Sequence, residues 1–446
     1  HLSFIILATA SGTPWTPSIQ DLISRGATKQ ITGLPRSDEV AIRGPALEVG
    51  GTESGQIRKI VWRGALILWR DYPILGTGVE TFAFSYYKAR PIEHNLVSEW
   101  EYLYNKAHNE YLNYAATTGT LGLTSYLFLI AAIGFSFFKN SQLNSDLKIN
   151  KLENSLEIGN WSLVIIALAA GWASIMVTNF FGFSVVPVSL LFFLFPAIAT
   201  SLQESRITNY DLRIEKLSIT QKSALVLFII LSSYFLILVA RYWYADLLYA
   251  KGKLENDSGN FVAAKELLDK AIRYSSHEAV YWEELSEAST QIALALNEEE
   301  QVELARQFAQ LAIDNSDESI KLSPANVNLK RTRASMFIKL STININYLVN
   351  ARDTLISAAE QAPTDAQMLY NLALAYVRTD EVEKAIQTLE KTVEIKKNYR
   401  NAWLALALLH IDSGHIEKAK QELMYILENI EPDDPIAKQE LEELEK

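Results

Sequence analysis

The chain has 446 residues, 49% of them hydrophobic, and is therefore long enough for more than one domain. It contains no cysteine, which excludes disulfides, thiolate metal sites and a cysteine nucleophile within this sequence. A formal net charge of -11 argues against nucleic-acid binding, because neutralising phosphates requires clustered Lys and Arg.

The first predicted element is an apolar stretch at residues 1–10, which starts at His1 and has no basic region before it. Such a stretch is typical of the tail of a membrane span, and a signal peptide is the weaker interpretation. We therefore expect a fragment whose earlier membrane helices lie upstream. Residues 11–120 are predicted to form a polar loop, with a helix over residues 57–69 where apolar side chains recur at helical spacing. A proline and two glycines then predict a turn at residues 71–78.

The end of this loop contains the first candidate for chemistry, His108. Ser98 and Glu101 have the spacing of a capping box, which predicts a helix from Ser98 to a left-handed stop at Gly119. Helical spacing would place Glu101, Asn105 and His108 on one face, which becomes apolar toward Leu112 and Ala115. Such a face suits a helix at the edge of a bilayer, with its polar end on a water-filled site.

Four apolar segments are long enough to cross a bilayer, since a span needs about 20 residues with few charges. They cover residues 121–138, 161–180, 185–202 and 223–240. Lys and Arg lie in the connections 139–160 and 203–222, which the positive-inside rule assigns to the cytoplasmic side. The polar loop and everything after Arg241 are then extracytoplasmic. No segment has a charged residue at its centre, which argues against an ion pump or a proton-coupled transporter.

The remainder of the chain, residues 243–446, is rich in Ala, Leu, Glu and Lys and repeats with an offset of 34 residues. The matching pairs are Leu369 and Trp403, Leu372 and Leu406, Ala373 and Ala407, Tyr376 and His410, Ala385 and Ala419, and Leu389 and Leu423. This is the period of a tetratricopeptide repeat, so we predict an α-solenoid that binds a protein partner. His410 is predicted to be buried, and His415 is predicted to lie in an exposed turn.

Known catalytic patterns are absent from the sequence: it has no Gly-rich phosphate loop, no helical pair of metal-binding histidines and no Gly-x-Ser-x-Gly elbow. Cationic side chains are instead concentrated in the polar loop, where guanidinium groups suit an anionic lipid headgroup such as a pyrophosphate. They are Arg58, Arg63, Arg70, Lys88, Arg90, His94, Lys106 and His108.

Three motifs follow one another in this loop. They are Arg58-Lys-Ile-Val-Trp62-Arg-Gly-Ala-Leu, Tyr72-Pro-Ile-Leu-Gly76-Thr-Gly78-Val-Glu-Thr-Phe82, and His108-Asn-Glu-Tyr-Leu112 with Gly119 and Gly122. In order and spacing they resemble the large outer loop of the O-antigen ligase and oligosaccharide polymerase family. Members of that family are polytopic glycosyltransferases that pass a glycan from undecaprenyl pyrophosphate to an acceptor outside the cytoplasmic membrane. They need no metal or cofactor, and many carry C-terminal tetratricopeptide repeats.

The resemblance implies a role for each motif residue. His108 corresponds to the family's loop histidine, which would act on the acceptor hydroxyl as a base or by orienting it. Arg58 would stabilise the departing pyrophosphate. Four further residues are predicted to contact substrate, namely Arg90, His94, Lys106 and Trp62. For Trp62 an interfacial anchor is the simpler interpretation, although its ring could also stack on a sugar.

We therefore expect an all-α protein of the cytoplasmic membrane, in which a polytopic helical domain precedes a tetratricopeptide α-solenoid. Its predicted domains are a truncated span (1–10), an extracytoplasmic catalytic loop (11–120), four transmembrane helices (121–242) and the repeats (243–446). The expected activity is glycan transfer from a polyprenyl-pyrophosphate donor to a lipid, glycan or protein acceptor. Polymerase and protein O-glycosyltransferase members share the loop, so the acceptor stays open. A non-enzymatic membrane scaffold is the alternative of a different class.

Overall fold

The computed structural model describes residues 52–102, 104–149, 158–207 and 218–445, which are helical with no strand among them. The predicted span tail at residues 1–10 and the start of the loop through residue 51 lie outside the described residues, as do residues 150–157 and 208–217 of the basic connections. Within the loop, the helix predicted over residues 57–69 is observed as α1, Ser54–Asp71. A short helix, α2 (Phe82–Ala89), and a 3₁₀ turn, Ile92–Leu96, follow it.

The prediction that a helix begins at Ser98 is wrong. The next helix, α3, runs from Glu110 to Ile149 and is capped by Asn109, whose Oδ1 accepts a hydrogen bond from the Leu112 backbone at 3.0 Å. The Ser98 hydroxyl instead accepts a hydrogen bond from the Thr52 backbone at 2.9 Å, so it caps nothing. A local capping signal fails here because a contact 46 residues away in sequence occupies the serine.

Gly119 marks a kink within α3 rather than its end. The residue has φ 65° and ψ -165°, and the helix resumes after it. The turn at residues 71–78 fills the kink: Thr77 and Gly78 donate backbone hydrogen bonds to Ala116 and Thr117, and Thr120 donates one to Pro73 at 2.8 Å. A break in a helix leaves amide and carbonyl groups without partners, and this turn satisfies several of them. The second loop motif and the glycines of the third are therefore one structural unit.

The close packing of the 71–78 turn against Gly119 predicts that Gly119→Ala strongly destabilises the protein. A Cβ at Gly119 would lie 2.3 Å from the Ile74 carbonyl oxygen, and an alanine at positive φ adds ~1–3 kcal/mol of strain. We expect the thermal midpoint of the detergent-solubilised protein to fall by several degrees. Gly134→Ala in the same helix is the matched control, because nothing lies within 4 Å of its added Cβ. Equal midpoints for the two variants would contradict the role of the kink.

Four apolar helices occupy the predicted membrane region. Three of the described helices are long and apolar enough to span a membrane, namely Glu110–Phe138, Leu163–Phe180 and Ile219–Asp257, and the apolar helix Val186–Leu202 is shorter. They lie in α3, α4 (Ile158–Phe180), α5 (Val186–Ile207) and α6 (Ile219–Asp257). The last of these also supplies the first helix of the repeats, with Ala245, Leu248 and Gly252 buried against its neighbours.

The repeat domain is a series of antiparallel helix pairs that continues from α6, as the 34-residue period predicts. Its further helices are α7 (Phe261–Tyr274), α8 (Ala279–Glu298), α9 (Val302–Leu322), α10 (Val327–Leu340), α11 (Tyr347–Gln361), α12 (Ala366–Arg378), α13 (Val382–Ile395), α14 (Arg400–Asp412), α15 (Ile416–Asn429) and α16 (Pro435–Leu444). His410 is buried and its Nδ1 lies 2.9 Å from the Glu422 carboxylate, whereas His415 is exposed in the turn before α15. Both predictions for these histidines are confirmed.

Candidate active site

Two side chains of the first motif share one face of α1. Arg58 and Trp62 are one turn apart and half-buried, beside the fully buried face formed by Ile57, Val61 and Leu68. The Arg58 Nε and the Trp62 Nε1 are buried, yet neither has a hydrogen-bond acceptor among the described residues. A buried donor without an acceptor is costly. These two N–H groups are therefore available to the oxygens of a bound anion.

His108 precedes Asn109, the cap of α3, and is close enough to Arg58 for the two charges to interact. Its ring packs edge-on against Tyr104 and Phe183, with centroid separations of 5.6 and 5.3 Å. Its backbone has φ 53°, which is uncommon for a residue other than glycine and often marks a functional position. Partial burial lowers the pKa of His108 below its ordinary 6.5, and the positive charge of Arg58 lowers it further against the opposing charge of Glu99. The imidazole is therefore neutral at physiological pH and can accept a proton.

The electrostatic interaction between Arg58 and His108 predicts a measurable shift in the pKa of His108. Because the Arg58 charge disfavours protonation of the imidazole, we expect the pKa of His108 to lie below 6.5 in the wild type and to rise in Arg58→Gln. The measurement is an NMR titration of labelled histidine, with His108→Gln used to assign the resonance. Arg70→Gln is the control, since Arg70 lies at the far end of α1 with its charge paired to Asp71. An unchanged pKa in Arg58→Gln would show that the two groups do not interact.

Lys106 and Trp62 are near this centre but have partners of their own. The Lys106 ammonium forms an ion pair with Glu80, whose backbone also has positive φ. The Trp62 ring makes an edge contact with Phe180 at the end of α4, with centroids 5.7 Å apart. Trp62 thus joins the loop to the apolar helices, in agreement with its simpler interpretation as an anchor, while its indole N–H has no acceptor in the described part of the chain.

Arg90 and His94 lie in the interior of the loop. His94 is 1% exposed, and its Nδ1 is 2.8 Å from the Tyr86 hydroxyl. Burial lowers the pKa of His94 to about 3, with a smaller contribution from the Arg90 charge, so the ring is neutral. Arg90 is 5% exposed and donates to Asn95 at 3.1 Å and to the Trp100 carbonyl at 2.5 Å. These positions favour a supporting role over direct contact with substrate, and the prediction that they bind substrate remains a prediction.

Sequence reasoning missed three residues that surround His108: Glu99, Tyr104 and Phe183. The Tyr104 hydroxyl donates a hydrogen bond to the Glu99 carboxylate, and the Tyr104 ring separates His94 from His108. Phe183 belongs to the short connection between α4 and α5, far away in sequence. The erroneous helix over residues 98–119 concealed the first two, and no local pattern marks the third.

The residues around His108 and Arg58 lie in a segment that matches a known protein family. Residues 2–127 match the O-antigen ligase family model. The match includes Arg58, Trp62, the 71–78 turn, His108 and the Gly119 kink, and it confirms the resemblance of the loop motifs. Residues 350–445 match a tetratricopeptide repeat family model, which confirms the repeats at the C-terminal end. The O-antigen ligase-like segment and the apolar helices together fit a membrane protein.

Several solved structures are similar to part of the chain. They include MamA from Desulfovibrio magneticus, at 19% identity over 43% of this chain and 97% of that one, with a TM-score of 0.34. A tetratricopeptide repeat protein from Parabacteroides merdae shows 20% identity over 45% and 72% of the two chains, with a TM-score of 0.35. PilF from Pseudomonas aeruginosa shows 17% identity over 43% and 78%, with a TM-score of 0.31. No curated protein sequence matches the chain.

Proposed function

We propose that this chain transfers a glycan from a polyprenyl-pyrophosphate carrier to a hydroxyl acceptor outside the cytoplasmic membrane. The observation that supports this proposal most strongly is the electrostatic interaction between His108 and Arg58 inside the O-antigen ligase-like segment. One residue offers a neutral imidazole, and the other has a buried guanidinium N–H with no acceptor among the described residues. Glycan transfer from a pyrophosphate is accelerated by a base at the acceptor hydroxyl and a cation at the leaving group.

In the proposed reaction the acceptor oxygen attacks the anomeric carbon of the glycan. The hydroxyl proton passes to His108 and then to solvent, and a new C–O bond forms as the bond from the anomeric carbon to the pyrophosphate oxygen breaks. Negative charge grows on the leaving pyrophosphate, where Arg58 stabilises it with its guanidinium and the Trp62 indole N–H donates a further hydrogen bond. A preorganised cation at the point where charge develops is among the larger contributions to catalysis.

The membrane setting supports the proposed donor and compartment. A polyprenyl carrier is held by the bilayer, so its pyrophosphate lies at the membrane surface, where α1 and the start of α3 adjoin the apolar helices. We propose that the polar loop and the repeats lie on the extracytoplasmic side and that the reaction needs no metal ion. The repeats are proposed to engage a protein partner or the acceptor.

The test supplies the protein in its native membranes with a labelled polyprenyl-pyrophosphate glycan and one of three acceptors. These are a lipid-anchored core glycan, a second carrier-linked glycan and a hydroxyl-bearing protein, each offered with and without EDTA. We expect EDTA-resistant transfer to one acceptor class, which would separate ligase, polymerase and protein glycosylation. If no acceptor receives label and the donor is stable, the chain is instead a non-enzymatic membrane scaffold.

A further inference from the structure

The loop and the repeat domain meet in a buried ionic cluster centred on Asp365. One oxygen of this carboxylate lies 3.5 Å from the Arg90 guanidinium and 3.1 Å from that of Arg331. Its other oxygen accepts the Met368 backbone N–H at 3.0 Å and thereby caps α12. Arg90 is 5% exposed and Asp365 is 4% exposed. Loss of one partner would leave charges buried without compensation, so the loop and the repeats are strongly coupled here.

A second set of contacts fixes the next residues of the loop. Asn95 donates to the Thr364 carbonyl at 2.9 Å, and the Thr364 hydroxyl donates to the Arg90 carbonyl at the same distance. The Lys396 ammonium donates to the Asn95 carbonyl at 2.6 Å and lies 4.2 Å from the centre of the Trp100 ring. Both Asn95 and Lys396 are buried. The loop is therefore held by the turns on either side of the α12–α13 helix pair.

Apolar packing closes the same interface. Tyr87 and Trp100 belong to one buried cluster with residues of α10, α11 and α12, among them Leu355 and Ala358. The Trp100 ring also makes an edge contact with Tyr399, with centroids 5.4 Å apart. Two large aromatic rings of the loop thus form part of the repeat core.

The held segment leads directly to His108. His94, inside this segment, packs against Tyr104 at 5.2 Å, and Tyr104 packs against His108 at 5.6 Å. The positive φ of His108 requires such support, because strained backbone persists only where its surroundings hold it. The opposite end of the repeats is also fixed, because α6 passes from the apolar helices into the first repeat without a break.

We infer that the repeat domain is a positioning part of the transfer site, in which Asp365 and Lys396 hold the loop from Arg90 to Trp100 and thereby orient His108. The inference deepens the proposed function and rests on it. It assigns the repeats a task within their own chain, in addition to any partner. Asp365 and Lys396 are positioning residues and are not placed in contact with substrate.

Cross-linking tests the contact without reference to activity. The 446 residues contain no cysteine, so Leu96→Cys with Lys397→Cys places a single exposed pair next to the Asn95–Lys396 contact. In native membranes a short bis-maleimide should join this pair efficiently, and Asp365→Asn should reduce the yield severalfold. The control pair combines Leu96→Cys with Glu428→Cys on α15. Equal yields for the two pairs would overturn the inference even if no transfer activity were found.

Rescue separates positioning from a general loss of structure. We expect Asp365→Asn and Lys396→Met to lower kcat for transfer about tenfold to a hundredfold, as small misplacements of catalytic groups do, with little change in KM for the donor. Cross-linking the Leu96→Cys and Lys397→Cys pair in the Asp365→Asn background should restore most of the lost rate, whereas a monofunctional maleimide should not.

The milder Thr364→Val should lower kcat by a smaller factor, and Glu381→Gln, within the repeats, should leave kcat unchanged. Wild-type kcat in both Asp365→Asn and Lys396→Met, or failure of the cross-link to restore the rate, would overturn the inference.

Discussion

Replacing His108 with alanine should lower kcat for glycan transfer by ~10²–10⁴-fold, the range expected when a positioned base is lost. The acceptor hydroxyl is a poor nucleophile while it keeps its proton, and we propose the neutral His108 imidazole, on which the Arg58 charge acts, as the base. KM for the donor should change little, because His108 acts on the acceptor. The measurement is a steady-state rate in native membranes at matched expression, and lipid-linked donor should accumulate.

The control for this variant is His277→Ala, since His277 is exposed at the start of the repeats. It should transfer at the wild-type rate. The conservative His108→Gln preserves polarity without a basic nitrogen, and it should be as slow as the alanine variant. If His108→Gln were active, a hydrogen-bonding role would replace the role of base.

Replacing Arg58 with alanine is the second large effect and should lower kcat by ~10²–10³-fold, comparable to the loss of one oxyanion donor. The buried Nε of Arg58 has no acceptor among the described residues, so its hydrogen bond is available to the leaving pyrophosphate. Arg58→Lys should recover part of the rate, because an ammonium supplies charge without the bidentate geometry of guanidinium. Raising the donor concentration should not restore the transfer rate of Arg58→Ala.

Arg70→Ala is the matched control for Arg58, because it removes an exposed arginine from the same helix. It should leave transfer within about twofold of the wild type, as expected for an exposed ion pair of small energetic value. Equal losses in the two variants would show that α1 contributes a general positive charge to the membrane surface. In that case Arg58 would have no specific role at the pyrophosphate.

The large elements of this fold are predictable because their signals are periodic. Apolar residues recur along one face of α1 over several turns, and the 34-residue offset of the repeats holds at six pairs of positions. Tertiary contacts reinforce both patterns. The buried position of His410 follows from the same repetition. The start of α3 was predicted wrongly because the evidence for it was one local pattern. Ser98 bonds to Thr52 instead, and Asn109, one residue after His108, is the cap that forms.

The candidate site is predictable only in part, for a related reason. His108 and Arg58 carry chemistry that a motif can mark, but the residues that position them come from other parts of the chain. Phe183 lies between two apolar helices, and Asp365 is 275 positions away from Arg90 in the sequence. No sequence pattern near Arg90 indicates a contact with Asp365, and none near Asp365 indicates a contact with Arg90. That Arg90 and His94 contact substrate stays a prediction; the structure buries both side chains and places Arg90 against Asp365 of the repeats.

The stoichiometry of transfer in native membranes, followed by mass spectrometry of carrier and product, tests the proposed reaction as a whole. We predict that the wild-type protein releases one polyprenyl pyrophosphate for each glycan attached to the acceptor, and that His108→Ala produces neither above background. Release of carrier and attachment of glycan at equal rates in the wild type and in His108→Ala would contradict the account.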